Sequence, residues 1–249
     1  MAPEISLSAE TVFHLGFLPV TNSVILSVVT VFFFAIFAFV FHRRLALIPG
    51  KLQSFVEIII ESILNLMESV LGRRDLALRY LPLIATIFLF VWISNWFGLL
   101  PGVGSILVAG EHGGHAVHFP LFRAPAADLN FTVVLAMIAV IAINALGIIA
   151  VGFKRYSRRF FHPKNPILSF AGFLELVSEF VKIISFSFRL FGNVFAGEVL
   201  LTIIGFLVPL VLPLPFLFLE LFVGFIQAFI FAMLTLVFVA MAVSEEPAH

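Results

Sequence analysis

The sequence predicts an all-α integral membrane protein: five transmembrane helices, one interfacial amphipathic helix and a long, steeply tilted helical hairpin near the C-terminus. Three observations predict it. The 249 residues are 62% hydrophobic and 11% charged, with a mean hydropathy of +1.19, whereas soluble domains are about half apolar and about a quarter charged. Apolar stretches recur at the ~20-residue length that crosses a bilayer. Lysine and arginine gather to one side of those stretches, as the positive-inside rule requires. The 33 phenylalanines fit a lipid-facing surface. A formal net charge of zero gives no sign of a nucleic-acid partner, and the absence of cysteine excludes disulfide and thiolate chemistry.

The chain reads as a single membrane domain, residues 1–249. Residues 1–22 form an outer N-terminal segment without Lys or Arg. They lack the basic start of a cleavable signal, so the first apolar run, 23–41, is expected to be a retained span. Residues 81–100 and 129–153 are the next charge-free spans. Between them, 101–128 is the outer loop, and 154–166 is a basic inner loop. Residues 167–205 make a long helix carrying Glu175, Glu179, Lys182, Arg189 and Glu198. Pro209, Pro213 and Pro215 then mark a turn into the last helix, 214–244. As a continuous helix 167–205 would run ~58 Å, about twice the hydrocarbon thickness, so it must tilt or bend.

Residues 51–72 differ from the spans. Ser54, Glu57, Glu61, Asn65, Glu68 and Gly72 recur at spacings of three and four, and leave an apolar face elsewhere. That is the pattern of a helix lying in the interface. Orientation supports it. If 51–72 does not cross, Arg43, Arg44, Lys51, Arg73, Arg74, Arg79, Lys154, Arg155, Arg158, Arg159 and Lys164 share one side, and the other holds only Arg123. The N-terminus is then outside and the acidic tail inside.

Lys182 and Arg189 are the two cations left within an apolar helix. An embedded charge costs at least roughly 2.5–3.5 kcal/mol, so it is kept where it faces water, a partner or an ion path. At ~100° per residue, Glu175, Lys182, Arg189 and Asn193 fall within about 40° of one another. Glu198 lies opposite, ~13 Å further along the axis. Glu220 and Gln227, seven apart, share a face of the last helix. Arginine stays protonated, so Arg189 does not carry protons by cycling. It repels passing cations and drives a nearby carboxyl group to release its proton. Glu198 and Glu220 can titrate and suit a relay. The residues describe a fixed cation fed by carboxylates, without the moving carboxylate on which it would act.

The run Ser185-Phe-Ser-Phe-Arg189-Leu-Phe-Gly-Asn193-Val-Phe-Ala-Gly-Glu198 closely resembles the signature of subunit a of rotary F-type ATP synthases. Pro49-Gly-Lys51-Leu-Gln53, Pro125-Ala-Ala-Asp128-Leu-Asn130, Gln227-Ala-Phe-Ile-Phe and the Ser244-Glu-Glu tail resemble further stretches of that family, in order along nearly the whole chain. The resemblance implies a bacterial inner-membrane protein, multi-pass, working against an oligomeric ring of c subunits. It implies b-type peripheral stalk subunits and the rest of the ATP synthase complex as further partners. Arg189 matches the arginine that separates two half-channels and discharges the ring carboxylate, and Asn193 and Gln227 match polar residues beside it. Glu198 and Glu220 match the access path on the outer side, Glu220 standing where some relatives have histidine. Glu175, Ser178 and Ser185 match other positions of the conducting face. The resemblance fits either proton or sodium as the coupling ion.

Several residues have plainer readings. Lys182 reads as snorkelling to the inner headgroups, and Glu179 as its ion-pair partner three residues away. Trp92 and Trp96 read as interface anchors. His112, His115 and His118 sit at metal-like spacing, but glycines and the lack of a fourth ligand favour a solvated loop, so neither a metal nor a cofactor is expected. The chain carries no Gly-x-x-x-x-Gly-Lys-Ser/Thr run, so ATP chemistry is expected on other subunits and no catalytic site on this one. The alternative function is a self-contained ion-coupled secondary transporter, which predicts paired repeats and interrupted half-helices.

Overall fold

The computed structural model describes residues 9–15, 18–104, 106–112, 115–160, 166–209 and 211–243. A short antiparallel hairpin, β1 (Thr11–Leu15) and β2 (Leu18–Thr21), leads into α1 (Asn22–Arg43). Then come α2 (Lys51–Leu71), α3 (Arg74–Gly98), strand β3 (Pro101–Gly104) and the antiparallel hairpin β4 (Leu107–His112) and β5 (His115–Pro120). A 3-10 turn at Pro125–Ala127 precedes α4 (Leu129–Val151) and the short α5 (Phe153–Ser157). Two long helices, α6 (Pro166–Leu207) and α7 (Pro213–Val243), complete the fold. Among the described residues, five helices are long and apolar enough to cross a membrane, namely α1, α3, α4, α6 and α7. This is an all-α membrane protein.

Helices cover the stretches read as spans, with shifted edges. The second starts at Arg74 rather than residue 81. Its charged first turns do not stop it, because Arg73 and Asp75 pair at 2.6 Å and Arg74 reaches Glu61 and Glu68 of α2 at 2.8 and 3.1 Å. Pro82 lies inside α3 without ending it. The third ends at Gly152, whose φ of 91° turns the chain into α5. Gly72, with φ 69°, likewise ends α2 and lets α3 begin two residues later. That tight link packs Leu64 and Met67 of α2 against the core around Ala77, Tyr80 and Ile84 of α3.

The core is the α3–α4–α6–α7 bundle, with small residues at its contacts. Ala77, Ala136, Ala139, Ala228 and Ala232 are buried together with Leu190, Phe231 and Leu236. Lipid offers no hydrophobic drive to press helices together, so close backbone approach and dispersion do the work. Gly147 is one such approach, since a methyl there would meet the Tyr156 ring at 2.6 Å. By contrast α1 buries only Asn22, Ser23, Leu26 and Thr30, and leaves Phe32, Ile36 and Phe39 about 60% exposed.

The loop 101–128 carries β3 and the β4–β5 hairpin, and its last part is a buried wedge. Phe119, Arg123, Ala124, Ala126, Ala127 and Asp128 are all less than 10% exposed. Two polar contacts fix the wedge: Asn22 Nδ2 donates to Pro120 O at 3.2 Å, and Ser23 Oγ donates to Asp128 Oδ2 at 2.6 Å. Asp128 also caps α4 by accepting from Asn130 N. Gly98 lacks a side chain where Ala124 comes against it.

Candidate functional site

A cavity of about 600 Å³ lies where α3, β3, the wedge, α6 and α7 meet. Asn95, Arg123, Glu198, Thr202 and Glu220 line it with apolar neighbours. Each is set by its element. Asn95 Nδ2 donates to Gly224 O at 3.1 Å and Trp96 Nε1 donates to Leu221 O at 3.0 Å, which joins the ends of α3 and α7. Thr202 Oγ1 folds back onto Glu198 O at 2.7 Å. Glu220, 8% exposed, nests against Gly197, where a β-carbon would strike its carboxyl group. Glu198 meets Arg123, whose Nε lies 3.3 Å from either carboxylate oxygen. The Arg123 guanidinium also faces the Phe195 ring at 5.9 Å.

Asn193 and Gln227 meet as well. Asn193 Nδ2 donates to Gln227 Oε1 at 2.6 Å, and Gln227 is 2% exposed. Arg189 lies one helical turn from Asn193, on the outer face of α6, where it donates to Ser185 Oγ at 3.3 Å. Ser185, Arg189, Gly192, Asn193 and Ala196 are exposed along one stripe, flanked by Ile184 and Phe188. The fixed cation therefore points away from the bundle.

The polar stripe expected from the helical wheel divides in the fold. Glu175 turns to Arg159, just past the end of α5. Lys182 does not snorkel: its ammonium pairs with Glu179 at 2.7 Å and lies 4.6 Å from the Phe238 ring centroid. A carboxylate and an aromatic face within reach satisfy it locally. Glu179 also accepts from Asn144 Nδ2 at 3.0 Å, and Tyr156 Oη donates to Asn144 Oδ1 at 2.6 Å. Ser178 is half-buried between these groups and Ser185 along α6. Glu198, expected opposite Arg189, does face the other way, toward the wedge. Trp92 and Trp96 are not simple interface anchors, because both pack into the α3–α7 contact, with Trp92 5.0 Å from Phe225.

Four participants were not singled out from sequence. Asn95 and Thr202 carried no signal beyond composition, and Gly197 stood within the Ser185–Glu198 run with nothing local to mark its contact with Glu220. Arg123 carried a signal, as the only cation counted on the outer side and two residues before the Pro125-Ala-Ala-Asp128 stretch. The side chains of His112, His115 and His118, and the tail 244–249, lie outside the described residues.

The sequence matches the family described as ATP synthase A chain over residues 23–240. The chain belongs to this family. It is 32% identical to ATP synthase subunit a of Moorella thermoacetica over 229 residues, covering 92% of this chain and 94% of the relative. It is 36% identical to ATP synthase subunit a of Helicobacter pylori strain P12 over 227 residues, covering 91% and 90%. ATP synthase subunit a of Campylobacter jejuni subsp. doylei is 35% identical over 207 residues, with 83% of each chain covered. The matched span includes all five membrane helices from Ser23 of α1 to Ala240 of α7, and so every candidate residue of the cavity and of the α6 stripe.

Proposed function

We propose that this chain is the stator half of a rotary proton path, working against a ring of c subunits and held by b-type stalk subunits in the inner membrane of a bacterium. Glu220 and Glu198 pass protons from the outer side to the ring carboxylate. Arg189 separates this path from the inner one and makes the ring carboxylate release its proton there. Asn193 and Gln227 hold the α6–α7 contact beside Arg189. Glu175, Ser178 and Ser185 belong to the conducting face on the inner side. ATP chemistry belongs to other subunits.

The observation that carries this reading is a division of labour on one helix. Glu198 faces a cavity it shares with Glu220, whereas Arg189, about nine residues and ~13 Å away, faces outward along an exposed stripe of small and polar residues. A carboxylate pair sharing a cavity can hand on protons. A permanent cation on a bare face can act only on something that comes to it from outside the chain. The small residues Gly192 and Ala196 beside it leave room for a close neighbour. At 42 residues α6 would be ~63 Å long, so it must cross obliquely, which suits a helix laid along a curved ring. By the charge bias, the N-terminus is outside and the C-terminus cytoplasmic.

The test is ATP-driven proton pumping in inverted membrane vesicles. Arg189→Lys, which keeps the charge but loses the fixed fork, is expected to abolish coupled pumping while the complex still assembles. Glu198→Gln and Glu220→Gln are each expected to lower it by about a hundredfold or more, the lower end of the range in which a lost proton-transfer group acts. Pumping at the wild-type rate in Arg189→Lys would end this reading.

A further inference from the structure

Arg123 is 6% exposed, yet its partner Glu198 keeps 38% of its side chain accessible from the cavity. The guanidinium is thus packed behind the carboxylate while the carboxylate remains reachable. Arg123 is not free to leave. It is carried by the wedge, where Ala127 N bonds Ala124 O at 3.0 Å, Asn22 holds Pro120, and Ser23 holds Asp128. Among the described residues lining the cavity, the charged groups are Arg123, Glu198 and Glu220, from the wedge, α6 and α7; Asn95 of α3 is polar and uncharged.

A proton and a metal cation make different demands of a carboxylate in such a place. A proton needs one lone pair on one oxygen. A hard metal ion needs several oxygens at short range, and here it would carry its charge up to a guanidinium in a poorly screened site. Arg123 Nε sits equally near both Glu198 oxygens, so the face a metal would use is already taken.

We propose that Arg123 is a second fixed cation of the path, a positioning residue that holds the Glu198 carboxylate at the cavity wall and denies it to sodium, so that the outer access path admits protons selectively. This rests on the relay reading of Glu198 given above. It assigns to the stator a selectivity filter separate from whatever ion the ring itself prefers.

The experiment is passive proton flux through the assembled membrane sector in liposomes, driven by a potassium diffusion potential and titrated with NaCl against choline chloride. The ring is the same in every variant, so differences report on Arg123. In Arg123→Gln the sodium concentration that halves the flux is expected to fall at least about tenfold below that of the wild type, since a charge-assisted contact has been lost. Arg123→Lys keeps the charge, so its sodium tolerance stays at the wild-type level even where its flux is lower. A packing role alone lowers flux or assembly without creating sodium inhibition. Equal sodium sensitivity in Arg123→Gln and wild type overturns the proposal. If Arg123→Gln does not assemble, strong sodium inhibition of wild type or of Arg123→Lys overturns it instead, and sodium tolerance in both supports it. Glu198→Gln separates the two readings. Wild-type flux in Glu198→Gln removes the relay itself, whereas blocked flux in Glu198→Gln with sodium-indifferent Arg123→Gln removes only the filter.

Discussion

Gly197 of α6 and Glu220 of α7 share one space: a methyl group on Gly197 would overlap the Glu220 carboxyl group itself. The carboxylate therefore sits at the cavity edge because its neighbour has no side chain. Its position is a consequence of packing as much as of its own rotamer.

Gly197→Ala should accordingly displace Glu220 rather than unfold the bundle. Overpacking of this kind costs about 1–3 kcal/mol, and the flexible carboxylate can absorb part of it by swinging into the cavity. The expected result is assembly near normal, with proton pumping in vesicles reduced several-fold. Gly197→Ala combined with Glu220→Asp, which shortens the displaced side chain, should recover part of the rate. Full activity in Gly197→Ala alone would show that the contact does not position Glu220.

Asn193 and Gln227 form the other polar contact between these helices, at 2.6 Å, with Gln227 almost fully buried. The remaining Gln227 Nε2 is also buried and makes no hydrogen bond among the described residues. Removing Asn193 would leave the whole amide without a protein partner, at a cost of about 1–3 kcal/mol. A double-mutant cycle of Asn193→Ala and Gln227→Ala, read by thermal unfolding in detergent, should give a coupling of about 0.6–1.7 kcal/mol, the span found for hydrogen bonds between membrane helices. Additivity within error would mean that the bond contributes nothing to stability.

How much of this was legible in the sequence depends on what each feature rests on. The spans were legible because lipid imposes length and apolarity residue by residue, and α6 and α7 end within a few residues of where hydropathy and proline place them. Arg189 and Glu198 on opposite faces followed from helical geometry alone. The stripe of Glu175, Lys182, Arg189 and Asn193 was legible as a direction but not as a set of contacts. Lys182 and Arg189 found partners on their own helix, Glu179 and Ser185, whereas Glu175 and Asn193 found Arg159 and Gln227, which depend on how remote elements dock. The wedge was illegible for the same reason. Nothing local to Arg123 or Ala124 says that the loop folds back into the bundle, since burial there comes from Gly98 of α3, from α1 and from α6, which are remote in sequence. The pairings within α6, of Arg189 with Ser185 and of Lys182 with Glu179, were the exception, because contacts three or four residues apart on one helix need no tertiary knowledge.

The Lys182–Glu179 pair offers a test of how charge is held inside the bundle. Lys182 and Glu179 each keep only 14% of their side chains exposed. Glu179 is also tied to Asn144, and Asn144 to Tyr156 over Gly147. Lys182→Met leaves Glu179 buried without its cation, a change that costs about 3–5 kcal/mol in buried pairs. Replacing both partners, as Glu179→Leu with Lys182→Met, removes the charges together and should return most of that loss, because apolar groups of similar size suit a lipid-facing bundle better than an unpaired ion. Thermal unfolding of the purified complex in detergent compares the three. The order expected is wild type and double variant close together, with Lys182→Met well below both. A Lys182→Met complex as stable as wild type would mean that Asn144 and water satisfy Glu179 without the ammonium. A double variant no better than the single would place the value of the pair in its geometry rather than in charge neutralisation.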